Sequence, residues 1–72
     1  MPATELQLRG EFITLDALLK ATGLAGSGGE AKALIAGGEV RVNGEAETRR
    51  GRKLRAGDTV ALHDAQVLVR AP

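Results

Sequence analysis

The sequence predicts an α+β fold in which two helices pack on a small, mainly antiparallel sheet. Three observations carry that expectation. Helical periodicity appears twice and early, at Leu15/Leu18/Leu19 and at Ala31/Leu34/Ile35; strand-like alternation recurs after Gly38; and Asn43-Gly44 joins two of those strands as a hairpin. A strand, two helices and then a run of strands is the order of an α+β domain, not of a parallel α/β sheet.

Thr4 to Arg9 alternates, with Leu6 and Leu8 on one side and Glu5, Gln7 and Arg9 on the other, and Gly10 ends this short half-buried strand. Thr14 is placed to cap the first helix. Asp16 in its first turn and Lys20 towards its last suit the helix dipole, and Gly23 suits a left-handed C-terminal cap. Ser27 and Glu30 have the spacing of a capping box, so the second helix begins there; Lys32 lies off its apolar stripe, and Gly37-Gly38 stops it. Glu39 to Val42 alternates as a strand. Asn43-Gly44 fits a type I′ turn, which needs positive φ at both central residues. The return strand covers about Glu45 to Thr48. Ala56-Gly57-Asp58 reads as a turn, Thr59 to Leu62 as a strand, His63-Asp64-Ala65 as a turn and Gln66 to Arg70 as the closing strand.

At 72 residues the chain is expected to form one domain over residues 1–72, spending nearly all its apolar side chains on a single core. It has no cysteine, which excludes a disulfide framework and thiolate metal sites, and no metal or cofactor is expected. No apolar run is long enough to cross a membrane, and the N-terminus lacks a basic segment followed by a hydrophobic one, so a cytoplasmic protein is expected.

Charge is distributed unevenly. Arg49, Arg50, Arg52, Lys53 and Arg55 fall within seven residues that contain no acid. With Arg41, and against Glu45 and Glu47, the segment 41–55 carries net +4 in a chain of net +1, so the remainder carries −3. Clustered guanidinium groups repel one another and build no core. Their functional reading is a surface for a polyanion, foremost nucleic acid; the plain alternative is a solvated basic loop. Phe12 is the only Phe, Tyr or Trp. Proteins that read unpaired bases hold them against aromatic faces, so an RNA ligand would be a structured one, met through phosphates, 2′-hydroxyls and shape.

Several segments occur in the order and spacing of a known domain. They are Thr14-Leu15-Asp16, Leu19 with Gly23, Ser27 with Glu30-Ala31-Lys32, Leu34-Ile35, Gly38-Glu39-Val40-Arg41-Val42-Asn43-Gly44 and Gly57-Asp58. In these the chain resembles the alpha-L RNA-binding motif, first defined in ribosomal small-subunit protein four and found in pseudouridine synthases and tyrosyl-tRNA synthetases. The resemblance covers a motif core from about Phe12 to Leu62. The length and the run Glu47-Thr48-Arg49-Arg50 followed by Lys53 look similar to small stand-alone bacterial RNA-binding proteins of the YbcJ type. The resemblance implies RNA binding by helix residues together with the basic hairpin, with Ser27 and Lys32 at matching helix positions. The chain departs from the motif twice: Thr14 stands where many members have arginine, and Gly28 where many have arginine after the serine.

The expected RNA-binding residues are therefore Ser27, Lys32, Arg41, Arg49, Arg50, Arg52, Lys53 and Arg55. Arg41 alternates with Val40 and Val42 and so faces away from the core, with a place beside the basic run or a cross-strand glutamate pair as its alternatives. The loop Gly26-Ser27-Gly28-Gly29 opens a helix N-terminus that could receive a phosphate; plain capping is the alternative, and Glu30 would repel an anion. His63 beside Asp64 lacks the partners of a triad, and the carboxylates form no pair for acid/base work, so no catalytic residue and no enzymatic activity are expected. The expected function is a non-catalytic, monomeric RNA-binding protein that docks on ribosomal or transfer RNA and assists ribosome assembly or RNA quality control. The alternative is an adaptor that binds an acidic protein partner with the same basic surface.

Overall fold

The computed structural model describes residues 3–72; Met1 and Pro2, where the expected domain span begins, lie outside the described residues. In chain order the elements are β1 (Ala3–Gln7), β2 (Ile13–Thr14), α1 (Leu15–Ala21), α2 (Gly28–Ala36), β3 (Val40–Val42), β4 (Glu45–Ala46), β5 (Lys53–Leu54), β6 (Thr59–Leu62) and β7 (Ala65–Arg70). Five strands form one sheet in the order β1-β7-β6-β3-β4, and β2 pairs with β5 as a separate two-stranded ribbon. All pairings are antiparallel except β1 with β7. This is the expected class, with one parallel edge pair.

Register puts the core on one face of the sheet. Val40 lies opposite Leu62, Val42 opposite Val60 and Val60 opposite Val67, and these residues are buried with Leu15, Leu18 and Leu19 of α1 and Ala31 and Ile35 of α2. Alternation turns Arg41, Ala61 and Gln66 to the other face.

The helix ends show how local chemistry fixes the chain. At α2 the Ser27 hydroxyl accepts from the Glu30 N–H at 3.1 Å, and Glu30 Oε1 accepts from the Gly26 N–H at 2.7 Å. The capping box is thus present with its return bond one residue earlier than usual. Gly38, at φ 76, lets its own N–H reach the Ile35 carbonyl and that of Glu39 the Leu34 carbonyl, closing the helix in the left-handed manner. The hairpin turn takes φ 52 at Asn43 and φ 87 at Gly44, as the type I′ turn requires.

Two expectations are corrected. Thr14 occupies the N-cap position of α1 but makes no side-chain cap bond. The N–H groups of Leu15 and Asp16 donate instead to the Arg52 and Arg50 carbonyls, at 2.9 and 3.1 Å. A distant segment supplies the cap: the pairing of Thr14 with Lys53 in the ribbon brings the Arg50 and Arg52 carbonyls over the first turn of α1. The return strand after the hairpin ends at Ala46, not Thr48, since Glu47 makes the last bond to β3, through its N–H to the Val40 carbonyl at 2.9 Å, and the chain then leaves the sheet.

Candidate nucleic-acid interface

The basic segment is a built connection, anchored at both ends. Glu47 enters it beside Val40, on the core side of the sheet, and is 7% exposed. Leu54 leaves it fully buried in β5, packed with the α1 leucines. Between them the carbonyls of Arg50 and Arg52 cap α1, and the Arg52 N–H closes a turn onto the Arg49 carbonyl at 3.2 Å. Backbone bonding therefore fixes where each cation starts.

Glu47 then orients two of them. Its Oε2 accepts from Arg49 Nε at 3.0 Å and from the Arg49 backbone N–H at 3.2 Å. Its Oε1 accepts from Arg49 Nη2 at 3.1 Å and from Arg52 Nη1 at 2.8 Å. The Arg49 pair is a two-pronged fork, the geometry in which guanidinium and carboxylate bind most strongly. These bonds, Arg49's first and Arg52's second, pull the Glu47 pKa down to about 2, and the carboxylate raises that of Arg49 in return. Both arginines keep outward surface, with side-chain exposures of 74% for Arg49 and 34% for Arg52. A guanidinium has five N–H donors, so each retains donors for a second anion after serving Glu47.

The other cations are placed differently. Arg50 is exposed and, among the described residues, has no hydrogen-bond or ion-pair partner for its side chain. Lys53 Nζ lies 4.9 Å and Arg55 Cζ 5.7 Å from the centroid of the Phe12 ring. The Arg55 N–H is held by Asp58 Oδ2 at 2.8 Å, the main cause of the lowered Asp58 pKa. Asp58 Oδ1 in turn accepts from Asn43 Nδ2 at 3.0 Å, and Asn43 Oδ1 accepts from the Thr59 N–H at 2.9 Å. The hairpin turn and the end of the basic segment are thereby tied together.

Three expected site residues stand apart from this cluster. Arg41 pairs across the sheet with Ala46 and Ala61, while Glu47 follows on the side of Val40, so Arg41 and the Glu47 cluster occupy opposite faces. Its Nη1 donates to the Gly44 carbonyl at 3.3 Å, and its strand neighbours are alanines, not a glutamate. Lys32 is exposed on α2, and Ser27 is engaged in the cap; among the described residues no hydrogen bond joins either to the basic segment. At the Gly26–Gly29 loop the Glu30 carboxylate sits on the Gly26 N–H, where an anion would have to approach. His63, at φ 54 in the β6–β7 turn, meets Glu39 Oε1 through Nε2 at 2.8 Å, an exposed contact.

Sequence reading missed Glu47 and Phe12. In the sequence Glu47 counts as a charge that reduces the total and as part of the run shared with YbcJ-type proteins, and its spacing to Arg49 and Arg52 is the signal that could mark it as their partner. Phe12 stands out in the sequence by its rarity, whereas its place beside Lys53 and Arg55 depends on a ribbon that local pattern does not mark.

The geometry defines a small α+β domain that displays a backbone-anchored cationic segment, two of whose arginines are oriented by a buried carboxylate. The S4 domain family model matches residues 6–70, and the chain belongs to that family. It is 43% identical over 60 residues to a Bacillus subtilis (strain 168) protein named "Probable ribosome maturation protein RlbA", covering 83% of this chain and 84% of the relative. It is 47% identical over 53 residues to the Escherichia coli (strain K12) "Putative RNA-binding protein YbcJ", covering 71% and 76% respectively. No helix among the described residues is long and apolar enough to cross a membrane.

Proposed function

We propose that this chain is a non-catalytic RNA-binding domain that docks on structured RNA, ribosomal or transfer RNA, through phosphate contacts of the segment from Arg49 to Arg55, in ribosome assembly or RNA quality control. The observation that carries the reading is the Glu47 cluster. A solvated basic loop has no need of a nearly buried carboxylate that aligns two arginines, whereas recognition of phosphate oxygens by guanidinium forks gains from such alignment. The names of the two relatives support the same direction. Arg50 and the outward edges of Arg49 and Arg52 make the first contacts. Arg41 and Lys32 reach the RNA only if it wraps beyond this segment, and the Gly26–Gly29 loop, with Glu30 against it, takes no part.

The experiment is titration of folded bacterial ribosomal RNA at several salt concentrations, with wild type and Arg50→Glu. Each phosphate contact contributes a slope of about 0.7 to 0.9 in log affinity against log salt, so Arg50→Glu is expected to weaken binding and lower the slope by roughly one contact. Arg50 is the residue of choice because its reversal leaves the Glu47 cluster in place. Unchanged affinity and slope would sink the reading, and a protein partner retained after nuclease treatment would favour the adaptor instead.

A further inference from the structure

Phe12 is 41% exposed, the one large hydrophobic side chain left open among the described residues. It is absent from the core cluster, to which Leu54 belongs and against which Ile13 packs. The ribbon register explains why. Ile13 lies opposite Leu54 and Thr14 opposite Lys53, so one step further along the same antiparallel pairing Phe12 falls opposite Arg55. Side chains alternate across a strand: Ile13 and Leu54 turn inward, and Phe12, Lys53 and Arg55 share the outer face. The distances agree, with Lys53 Nζ at 4.9 Å and Arg55 Cζ at 5.7 Å from the ring centroid. The ring also borders a groove of about 650 Å³ walled by Leu8, Arg9, Ile13, Ala17 and Ala21.

We propose that the outer face of the β2–β5 ribbon is a platform for a single unpaired nucleotide, whose base stacks on Phe12 at the mouth of the groove while its flanking phosphates meet Lys53 and Arg55. The inference rests on the RNA reading above and names the RNA feature this part of the surface takes. An apolar protein partner that covered Phe12 would have to desolvate both cations without pairing them. An unpaired nucleotide satisfies all three groups, since it brings a π-face for the ring and anionic oxygens for the ammonium and guanidinium. The cations now resting against the ring need only swing to the phosphates. One platform holds one base, which keeps the scarcity of aromatic residues consistent with an otherwise structured ligand.

The test uses two RNA hairpins of the same stem, one fully paired and one with a single bulged adenosine, titrated at fixed low salt. Wild type is expected to prefer the bulged hairpin by roughly tenfold, the scale of one base stacked on one aromatic ring. Phe12→Leu should abolish that preference while leaving affinity for the paired hairpin and the salt slope unchanged. Phe12→Trp should keep the preference and, as the sole tryptophan of the chain, should change fluorescence with the bulged hairpin and not with the paired one. Equal binding of both hairpins by wild type, or equal weakening of both by Phe12→Leu, overturns the platform and leaves the phosphate reading standing. Binding of neither hairpin overturns the platform, and failure to bind folded ribosomal RNA as well overturns both.

Discussion

Replacing Glu47 with glutamine makes the chain more positive, yet it is expected to weaken RNA binding. The carboxylate accepts from the Arg49 N–H, Nε and Nη2 and from Arg52 Nη1, all between 2.8 and 3.2 Å. An amide offers one oxygen in place of two and turns an NH₂ group towards guanidinium donors, so the bonds to one oxygen are lost and the array loosens. Released arginines must be ordered again by the RNA, and for two long side chains that costs roughly 5- to 100-fold in affinity. The removed negative charge acts the other way, by about twofold after screening by salt. The net expectation is a loss of roughly 3- to 50-fold. Glu45→Gln is the matched control, because Glu45 is an exposed β4 residue whose neutralisation changes net charge equally; it should tighten binding by about twofold. Fluorescence anisotropy with folded ribosomal RNA from about 50 to 200 mM salt reads both variants, with a thermal melt to confirm that each is folded. Glu47→Gln binding as tightly as Glu45→Gln would refute the alignment of the arginines as the source of affinity.

The same carboxylate sets an acid limit on stability. Its pKa falls from an ordinary 4.5 to about 2 in the folded chain, so its contribution is full above about pH 4.5 and is lost as pH drops towards 2; urea unfolding across that range should show a decline that Glu47→Gln flattens. Leu54→Ala removes a fully buried side chain from β5 and should cost about 2 to 5 kcal/mol, seen as a lower urea midpoint. Because the Arg50 and Arg52 carbonyls cap α1, hydrogen exchange at Leu15 and Asp16 should quicken in that variant more than at Val67. Asn43→Ala deletes the bonds to Asp58 and Thr59 and puts a β-carbon without polar partners at φ 52; a loss of about 1 to 3 kcal/mol in thermal or urea unfolding is expected.

What was legible in the sequence is what local chemistry decides. Ser27 with Glu30, Gly23, Gly38 and Asn43-Gly44 act within a few residues of themselves, and each marks its helix end or turn in the structure. The β2–β5 ribbon was not legible, since two residues on each side show no periodicity and the partners Ile13 and Leu54 are far apart in sequence. β1 and β7 are each legible from their alternation, but their parallel pairing is not, since the partners lie at opposite ends of the chain. Alternation correctly turned Arg41 away from the core, but which face lies beside the basic segment depends on where the chain leaves β4. Glu47 shows the limit most clearly: its alternation with Ala46 points it to the core side, where a glutamate is unexpected until Arg49 and Arg52 fold back to meet it.

The five cations from Arg49 to Arg55 therefore do not act as one sum of charge. Arg49 and Arg52 converge on Glu47, Lys53 and Arg55 converge on Phe12, and Leu54 between the latter two points into the core. That inward leucine is what puts Lys53 and Arg55 together on one outer face, because strand alternation around it turns both neighbours outward. Oriented guanidinium forks suit the fixed phosphate spacing of a folded RNA, and an aromatic ring between cations suits a base that has left its stack. A structured RNA with an unpaired nucleotide next to its stem would engage both groups at once, through a segment whose backbone is already ordered by its bonds to α1. On the proposed reading that ordering is supplied by folding, so little of the interaction would be spent on the backbone of the segment and affinity would follow the side chains that meet the RNA.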